Sequence, residues 1–151
     1  MSDTGRQWEI ALEAQHRDYE RDGLAVVWKT EPRRGANGHY RDKAPPDYIG
    51  ALEGGRAVVI EAKACGAARF SLGMIKGHQA REMEKAWKRG ALVFVALRFG
   101  STGRVLRWEW LREHYGAWRM GKGPASLTER QIAELPAMGG EYGADWLGVL
   151  R

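Results

Sequence analysis

Two acidic residues and a lysine are the residues of this chain whose types and spacing most suggest chemistry. Asp47 follows Pro46, and the triplet Glu61-Ala62-Lys63 follows the apolar run Val58-Val59-Ile60. Phosphodiester hydrolysis needs a hard divalent cation to hold a phosphate oxygen and acidify a water, and carboxylates are suitable ligands for it. Lys63 would project from the same strand face as Glu61, where its ammonium group could orient the water or stabilise charge at phosphorus.

A β-hairpin is the element that would bring these residues together. The segment Glu53-Gly54-Gly55-Arg56 is a hairpin-turn signal between Asp47 and the strand predicted at 57–63. Pairing of the two strands would place Asp47 beside Glu61, with the backbone carbonyl of Ala62 as a further ligand for a cation. An ordinary Glu–Lys pair at an exposed strand end is the alternative interpretation of the triplet.

The remaining pattern predicts an α/β fold with a mixed sheet. Apolar spacing, turn residues and a capping-box pattern at 126–129 locate the other elements. The predicted helices are at about 5–21, 76–89, 110–118 and 126–135, and the predicted strands are at 24–29, 91–97 and 105–108.

Composition and charge favour one intracellular domain with a polyanionic partner. The 151 residues carry a formal net charge of +5 and one cysteine, Cys65. Cationic side chains release counterions from nucleic acid, although a basic protein without such a partner is equally compatible with charge alone. The absence of a long apolar run, a secretory signal or a possible internal disulfide predicts a cytoplasmic protein that is not associated with a membrane. A nucleic-acid partner would place it with nucleoid or phage DNA.

An ordered series of motifs resembles the PD-(D/E)XK nuclease superfamily and, within it, the RecU-type Holliday junction resolvases, with kinship to the archaeal resolvases. The series covers about residues 5–115. It consists of Trp8-Glu9, Gly23 to Val27, Asp47-Tyr48-Ile49-Gly50, Glu61-Ala62-Lys63, Phe70-Ser71-Leu72, His78-Gln79 and Ala91 to Val95.

The resemblance implies a restriction-endonuclease-like single domain, expected at residues 1–135, with a C-terminal tail of unknown role at 136–151. It implies an Mg²⁺-dependent homodimeric endonuclease, with Mn²⁺ as a possible substitute and no organic cofactor. The enzyme would nick a four-way junction symmetrically and leave 5′-phosphates. Glu9 would be a third acidic ligand and Gln79 a further site residue. Glu9 also suits a favourable first-turn charge, and Gln79 a polar helix cap.

DNA contacts are expected from a basic loop and the start of the second predicted helix. The expected contact residues are Arg33, Arg34, Tyr40, Arg41, Lys43 and Lys76. A plain surface loop is the alternative for the first five. The apolar faces of the first helix and of the tail are candidate dimer surfaces. Two rival functions share these residues: a nuclease of the same superfamily acting on duplex, flap or single-stranded DNA, and a non-catalytic DNA-binding module.

Overall fold

The computed structural model describes residues 3–31 and 44–150, which form both helices and strands. Within these ranges the helices are α1 (Asp3–Arg21), α2 (Gly77–Lys88), α3 (Trp108–Arg119), α4 (Glu129–Ala133) and α5 (Trp146–Leu150). The strands are β1 (Ala25–Lys29), β2 (Tyr48–Leu52), β3 (Ala57–Cys65), β4 (Arg69–Ser71), β5 (Leu92–Phe99), β6 (Thr102–Arg107) and β7 (Ser126–Thr128). None of the described helices has the length and apolar character needed to cross a bilayer.

Five strands form a mixed central sheet in the order β1-β2-β3-β5-β6. The β1–β2, β2–β3 and β5–β6 pairs are antiparallel, and β3 and β5 are parallel. Parallel neighbours need a crossover connection, and the chain between β3 and β5 includes α2. The mixed sheet flanked by helices that the sequence predicts is confirmed.

Helix α1 covers one face of the sheet with an apolar stripe at helical spacing. The buried cluster on this face includes Trp8, Leu12, Ile60, Phe94 and Ala96. The Trp8 indole N–H also donates to the Ala96 carbonyl oxygen at 2.9 Å. Because burial of a large apolar side chain contributes about 1.5–3 kcal/mol, α1 is held firmly and Glu9 is fixed next to Trp8.

Helices α2 and α3 cover the opposite face of the sheet. Met83 of α2 and Leu111 of α3 are fully buried against the β5 residues Val93 and Leu97. These apolar contacts fix the first turn of α2 relative to β3, and this is the arrangement on which the position of Gln79 depends.

The C-terminal segment packs against the body of the same chain. Trp146 is fully buried beside Phe94, and its indole N–H donates to His16 Nε2 at 3.0 Å. The Tyr19 hydroxyl donates to Asp145 Oδ1 at 2.6 Å. The apolar faces of α1 and of the tail are therefore wrong as candidate dimer surfaces, because Trp8, Leu12 and Trp146 on them are buried in one cluster with the central sheet.

The capping box at 126–129 is also wrong in detail. Ser126 begins β7, which pairs with β4 in a small antiparallel sheet. The N-cap is Thr128, whose hydroxyl oxygen accepts from the Gln131 N–H at 3.1 Å, while Gln131 Oε1 accepts from the Thr128 N–H at 2.9 Å. Because residues 126–128 pair as a strand, the helix begins three residues, or nearly one turn, after its predicted beginning.

His16 is expected to make folding stability fall between neutral and acidic pH. Burial lowers the pKa of His16 to about 4 from 6.5, because the charged imidazolium loses its hydration inside the protein. The unfolded chain gains a proton below pH 6.5 and the folded chain does not, so this contribution to stability is lost as pH falls toward 4. At pH 4.5 the loss is about 2–3 kcal/mol at 1.36 kcal/mol for each pKa unit.

Denaturant unfolding at pH 7.0 and 4.5 measures this effect. The His16→Gln variant is the control, because an amide oxygen can accept the indole N–H but does not titrate. On acidification from pH 7.0 to 4.5, we expect the free energy of unfolding of the variant to fall by about 2–3 kcal/mol less than that of the wild type. Equal falls in the two proteins would contradict the assignment to His16.

Candidate active site

The antiparallel register of β2 and β3 brings Asp47 to Glu61. Tyr48 pairs with Ile60, so the next positions outward, Asp47 and Glu61, face each other across the end of the ladder. Asp47 Oδ2 accepts a hydrogen bond from the Ala62 backbone N–H at 2.9 Å. The Thr30 N–H donates to the Asp47 carbonyl oxygen at 3.0 Å, which fixes this backbone to the end of β1.

Glu61 is a buried carboxyl group beside a second carboxyl group. Its side chain is 1% exposed, and its Oε2 has no hydrogen-bond partner among the described residues. Burial raises the pKa of Glu61 well above its usual value, and the adjacent Asp47 raises it further, while Lys63 lowers it. Two carboxylates this close are costly unless a cation lies between them.

Lys63 and Gln79 form a bonded pair at the edge of the same site. The Lys63 ammonium donates to Gln79 Oε1 at 3.1 Å. The same oxygen accepts from the Lys76 backbone N–H at 2.9 Å, so Gln79 also caps α2. Gln79 therefore acts both as a site residue, through its contact with Lys63, and as a polar cap of α2, through its contact with the Lys76 N–H.

Glu9 reaches the site from α1 and lines the same cavity as Asp47. Burial raises the pKa of Glu9, while the Lys29 ammonium lowers it and Asp47 raises it. Glu9, Asp47, Lys63 and Gln79 line one cavity of about 200 Å³. The other residues that line it are Gly5, Trp8, Ala62 and Ala64. The five predicted site residues thus gather around the C-terminal half of β3: Asp47, Glu61, Lys63, Gln79 and Glu9.

Lys29 is a charged neighbour of the site that sequence reasoning missed. It ends β1 opposite Tyr48, and its Nζ lies 3.7 Å from Glu13 Oε2. The Tyr48 hydroxyl donates to the same Glu13 oxygen at 2.9 Å. Lys29 ends β1, and β1 pairs with the strand that begins directly after Asp47. This pairing would have placed Lys29 near the site.

The donor set at Asp47 and Glu61 fits a hard divalent cation. Two carboxylates meet there, and the buried Glu61 oxygen without a donor is an atom that such a cation would satisfy. Within residues 3–31 and 44–150, no group of three or more His, Cys, Asp or Glu side chains is close enough to hold an ion. Glu9 as a third acidic ligand stays a prediction.

Five of the six expected DNA contacts cannot be placed. Arg33, Arg34, Tyr40, Arg41 and Lys43 lie outside the described residues. Lys76 is exposed immediately before α2, with its backbone N–H on Gln79. Its contact with DNA stays a prediction.

Comparison with known proteins identifies the family to which this geometry belongs. Residues 3–135 match the family model of RecU, recombination protein U. The structure resembles Hjc, a Holliday junction resolvase from the archaeal hyperthermophile Archaeoglobus fulgidus, with a TM-score of 0.57 and 15% identity over 88% of this chain and 95% of that chain. No curated protein matches the sequence. The predicted restriction-endonuclease-like fold is confirmed, and the chain belongs to the RecU family of Holliday junction resolvases.

Proposed function

We propose that this chain is a Mg²⁺-dependent endodeoxyribonuclease that resolves four-way DNA junctions by paired, symmetric nicks. The observation that carries the proposal is the Asp47–Glu61 carboxylate pair with Lys63 beside it, in a chain of the RecU family. Hydrolysis on the 3′-oxygen side of the phosphate would leave 5′-phosphate ends.

Asp47 and Glu61 are the proposed ligands of Mg²⁺, for which Mn²⁺ would substitute, and the Ala62 carbonyl is the proposed third. The cation, when bound, would polarise a non-bridging phosphate oxygen and lower the pKa of the attacking water. The Ala62 N–H holds Asp47 Oδ2 in place, so the first carboxylate is oriented before the substrate arrives. Glu61 is fixed by its burial on β3, and its Oε2, which accepts no hydrogen bond from the described residues, is left to bind the cation.

Lys63 is the proposed group that orients the attacking water and stabilises negative charge on the phosphate. Its hydrogen bond to Gln79 fixes the ammonium group at the cavity while leaving donors for other partners, because an ammonium group has three N–H bonds. Prior positioning of this charge would reduce the reorganisation that the reaction needs.

Gln79 is expected to act as a positioning residue for Lys63. The Gln79→Ala variant should lower kcat about 10- to 100-fold, because a hydrogen bond to a charged group contributes about 1.5–3 kcal/mol and 1.36 kcal/mol is tenfold in rate. Turnover at saturating junction checks this, with urea unfolding of the same sample to exclude an unfolded fraction.

The conservative Gln79→Glu variant distinguishes the effect of the two Gln79 hydrogen bonds from the effect of its side-chain volume. A carboxylate oxygen still accepts from Lys63 and from the Lys76 N–H, so this variant should keep more activity than Gln79→Ala. Wild-type kcat in Gln79→Ala would remove Gln79 from the site. Equal losses in both variants would contradict the positioning role.

A homodimer is the proposed assembly, because symmetric nicking needs two sites on a two-fold axis. The proposed contact surface is the face of β1 and β2 that carries Trp28 and Ile49, which pair across the two strands. These large apolar side chains are 57% and 42% exposed, next to the strand end that carries Asp47. Sedimentation of Trp28→Glu against wild type tests this surface, and an unchanged dimer would contradict it.

Cleavage of a synthetic four-way junction tests the proposed function directly. With Mg²⁺, we expect paired nicks at symmetric positions, with 5′-phosphate ends, and none with chelator. A linear duplex with the sequence of two arms is the control and should be cut far less. Equal cutting of the duplex would favour a general nuclease of the superfamily. Salt-sensitive binding without cutting in any divalent cation would favour a non-catalytic module.

A further inference from the structure

A second recess lies between α2 and α3, apart from the carboxylate site. It has a volume of about 530 Å³, and we call it the α2–α3 groove. Its lining residues recur at helical spacing on one face of each helix: Gly77, Ala80, Arg81, Glu84, Lys85, Trp108, Arg112, Tyr115, Gly116 and Arg119. Four of these residues are cationic and one is acidic, so the groove carries a local excess of positive charge.

Glu84 fixes one of the four cations at the base of the groove. Its Oε2 accepts from Arg112 Nη2 at 2.7 Å, and its Oε1 accepts from Arg112 Nε and from the Trp108 indole N–H, both at 2.8 Å. Hydrogen bonds from Arg112, foremost, hold the pKa of Glu84 at about 2, so the pair stays ionised at neutral pH. The Arg112 guanidinium also stacks on Trp87 at 4.5 Å. These contacts make the base of the groove a fixed structure.

Arg81 and Arg119 are the cations that remain available on the two helices. No carboxylate within the described ranges pairs with either of them, whereas Lys85 pairs with Glu82 at 2.7 Å. The Arg119 guanidinium carbon lies 5.5 Å from the Trp118 ring centroid, and its N–H groups donate to no side chain or backbone oxygen among residues 3–31 and 44–150. Two guanidinium groups on facing helices match phosphate oxygens, which they bind with paired N–H donors.

The α2–α3 groove and the active-site cavity are adjacent, because residues in the first turn of α2 line both. Gly77 lines the groove and Gln79, two residues later, lines the cavity with Asp47 and Lys63. The Arg81 guanidinium lies back over this first turn, since a Cβ added at Gly77 would be 3.3 Å from its Nη1. From residue 77 to residue 85 the helix rises about 12 Å at 1.5 Å per residue, and a DNA strand places about three phosphates along that length.

We propose that the α2–α3 groove binds the phosphate backbone of a DNA arm adjoining the scissile phosphate, with Arg81 and Arg119 as its principal contacts. This assignment rests on the proposed function for the identity of the DNA as the substrate. Backbone contacts of this kind fix the register of a duplex without reading its sequence. The groove would therefore determine which phosphate of the DNA strand reaches Asp47 and Glu61.

Binding of a labelled four-way junction in chelator at several salt concentrations tests the groove. The Arg81→Gln/Arg119→Gln double variant is compared with Arg21→Gln/Arg130→Gln, which removes two exposed arginines from α1 and α4. We expect the groove variant to bind more weakly than the control pair. The slope of log affinity against log salt should fall by about 1.8, because each phosphate contact contributes about 0.9.

The possible outcomes separate this proposal from the proposed function. If wild type cuts junctions but the groove variant binds as tightly as the control pair, the groove assignment fails alone. If wild type cuts nothing while the groove variant still loses affinity and salt slope, the groove stands and the nuclease proposal fails. A groove variant that changes oligomeric mass instead of DNA affinity would make the groove a protein interface and overturn the assignment.

Discussion

Replacing Asp47 with asparagine, or Glu61 with glutamine, is expected to reduce junction cleavage about 10⁴-fold or more while the protein stays folded. This loss corresponds to about 5.5 kcal/mol of transition-state stabilisation at 1.36 kcal/mol per tenfold change in rate. The two carboxylates meet just beyond the last β2–β3 pair, at the start of β2 and the middle of β3. A neutral amide oxygen binds Mg²⁺ more weakly than a carboxylate does, and each variant loses one of the two carboxylates, so neither should hold Mg²⁺ in a reactive geometry.

Binding and stability should respond in the opposite direction from cleavage. Asp47→Asn removes a carboxylate from the cavity that would receive the phosphate, and Glu61→Gln removes a buried acid behind it, so junction affinity should be kept or increased. Glu61→Gln should also raise the free energy of unfolding without metal, because burial and Asp47 raise the pKa of Glu61 on folding, which costs free energy at neutral pH, and glutamine does not titrate. Addition of Mg²⁺ should then stabilise wild type but not the variant.

Matched carboxylates elsewhere on the surface control for the loss of charge alone. Asp22→Asn and Glu53→Gln change exposed residues in turns, outside the cavity that contains Asp47. Single-turnover cleavage of a labelled junction should be unchanged in both. Wild-type cleavage by Asp47→Asn or Glu61→Gln would remove that residue from the proposed metal site.

The Lys63→Ala variant is expected to lower turnover about 10³-fold with Mg²⁺ affinity little changed. The loss is about 4 kcal/mol, the order found when a preorganised charge-stabilising donor is removed. Lys63 contacts Gln79 at the cavity edge and is not a carboxylate ligand, so its removal should leave metal binding intact. Single-turnover rates and Mg²⁺ titration by calorimetry measure the two effects separately.

Two further variants make this result specific to the ammonium group. Lys63→Arg keeps the charge but replaces a compact ammonium group with a planar guanidinium, and it should recover little of the rate. Lys88→Ala removes an exposed lysine from the last turn of α2 and should cut normally. Turnover in Lys63→Ala within a few-fold of wild type would contradict the role assigned to Lys63.

The core of the site could be predicted from the sequence because its determinants are local. The turn at 53–56 and the apolar strand after it fix a hairpin, and the hairpin register fixes Asp47 against Glu61. The side-chain alternation of a strand then places Lys63 on the face of Glu61. Strand pairing and alternation are short-range consequences of residue type, so these positions followed from pattern alone.

The rest depends on packing between distant elements, which a local pattern does not specify. Residues 136–150 pack against the body of the chain because Trp146 contacts His16 and Phe94. Each of these partners lies more than fifty residues away along the chain. The short helix after β7 begins at Glu129 because Ser126 to Thr128 pair with β4, and the sequence pattern did not predict β4. The α2–α3 groove exists because two helices pack side by side, and helical spacing alone does not reveal their contact.

An anomalous diffraction map from crystals soaked in Mn²⁺ tests the central claim most directly. The account predicts a peak between the Asp47 and Glu61 carboxylates, within about 2.2 Å of an oxygen from each, by analogy with hard-cation distances of about 2.0–2.6 Å. Crystals of Glu61→Gln soaked in the same way should lack the peak. A wild-type map with no peak between these two residues, or with its only peak elsewhere on the chain, would contradict the account.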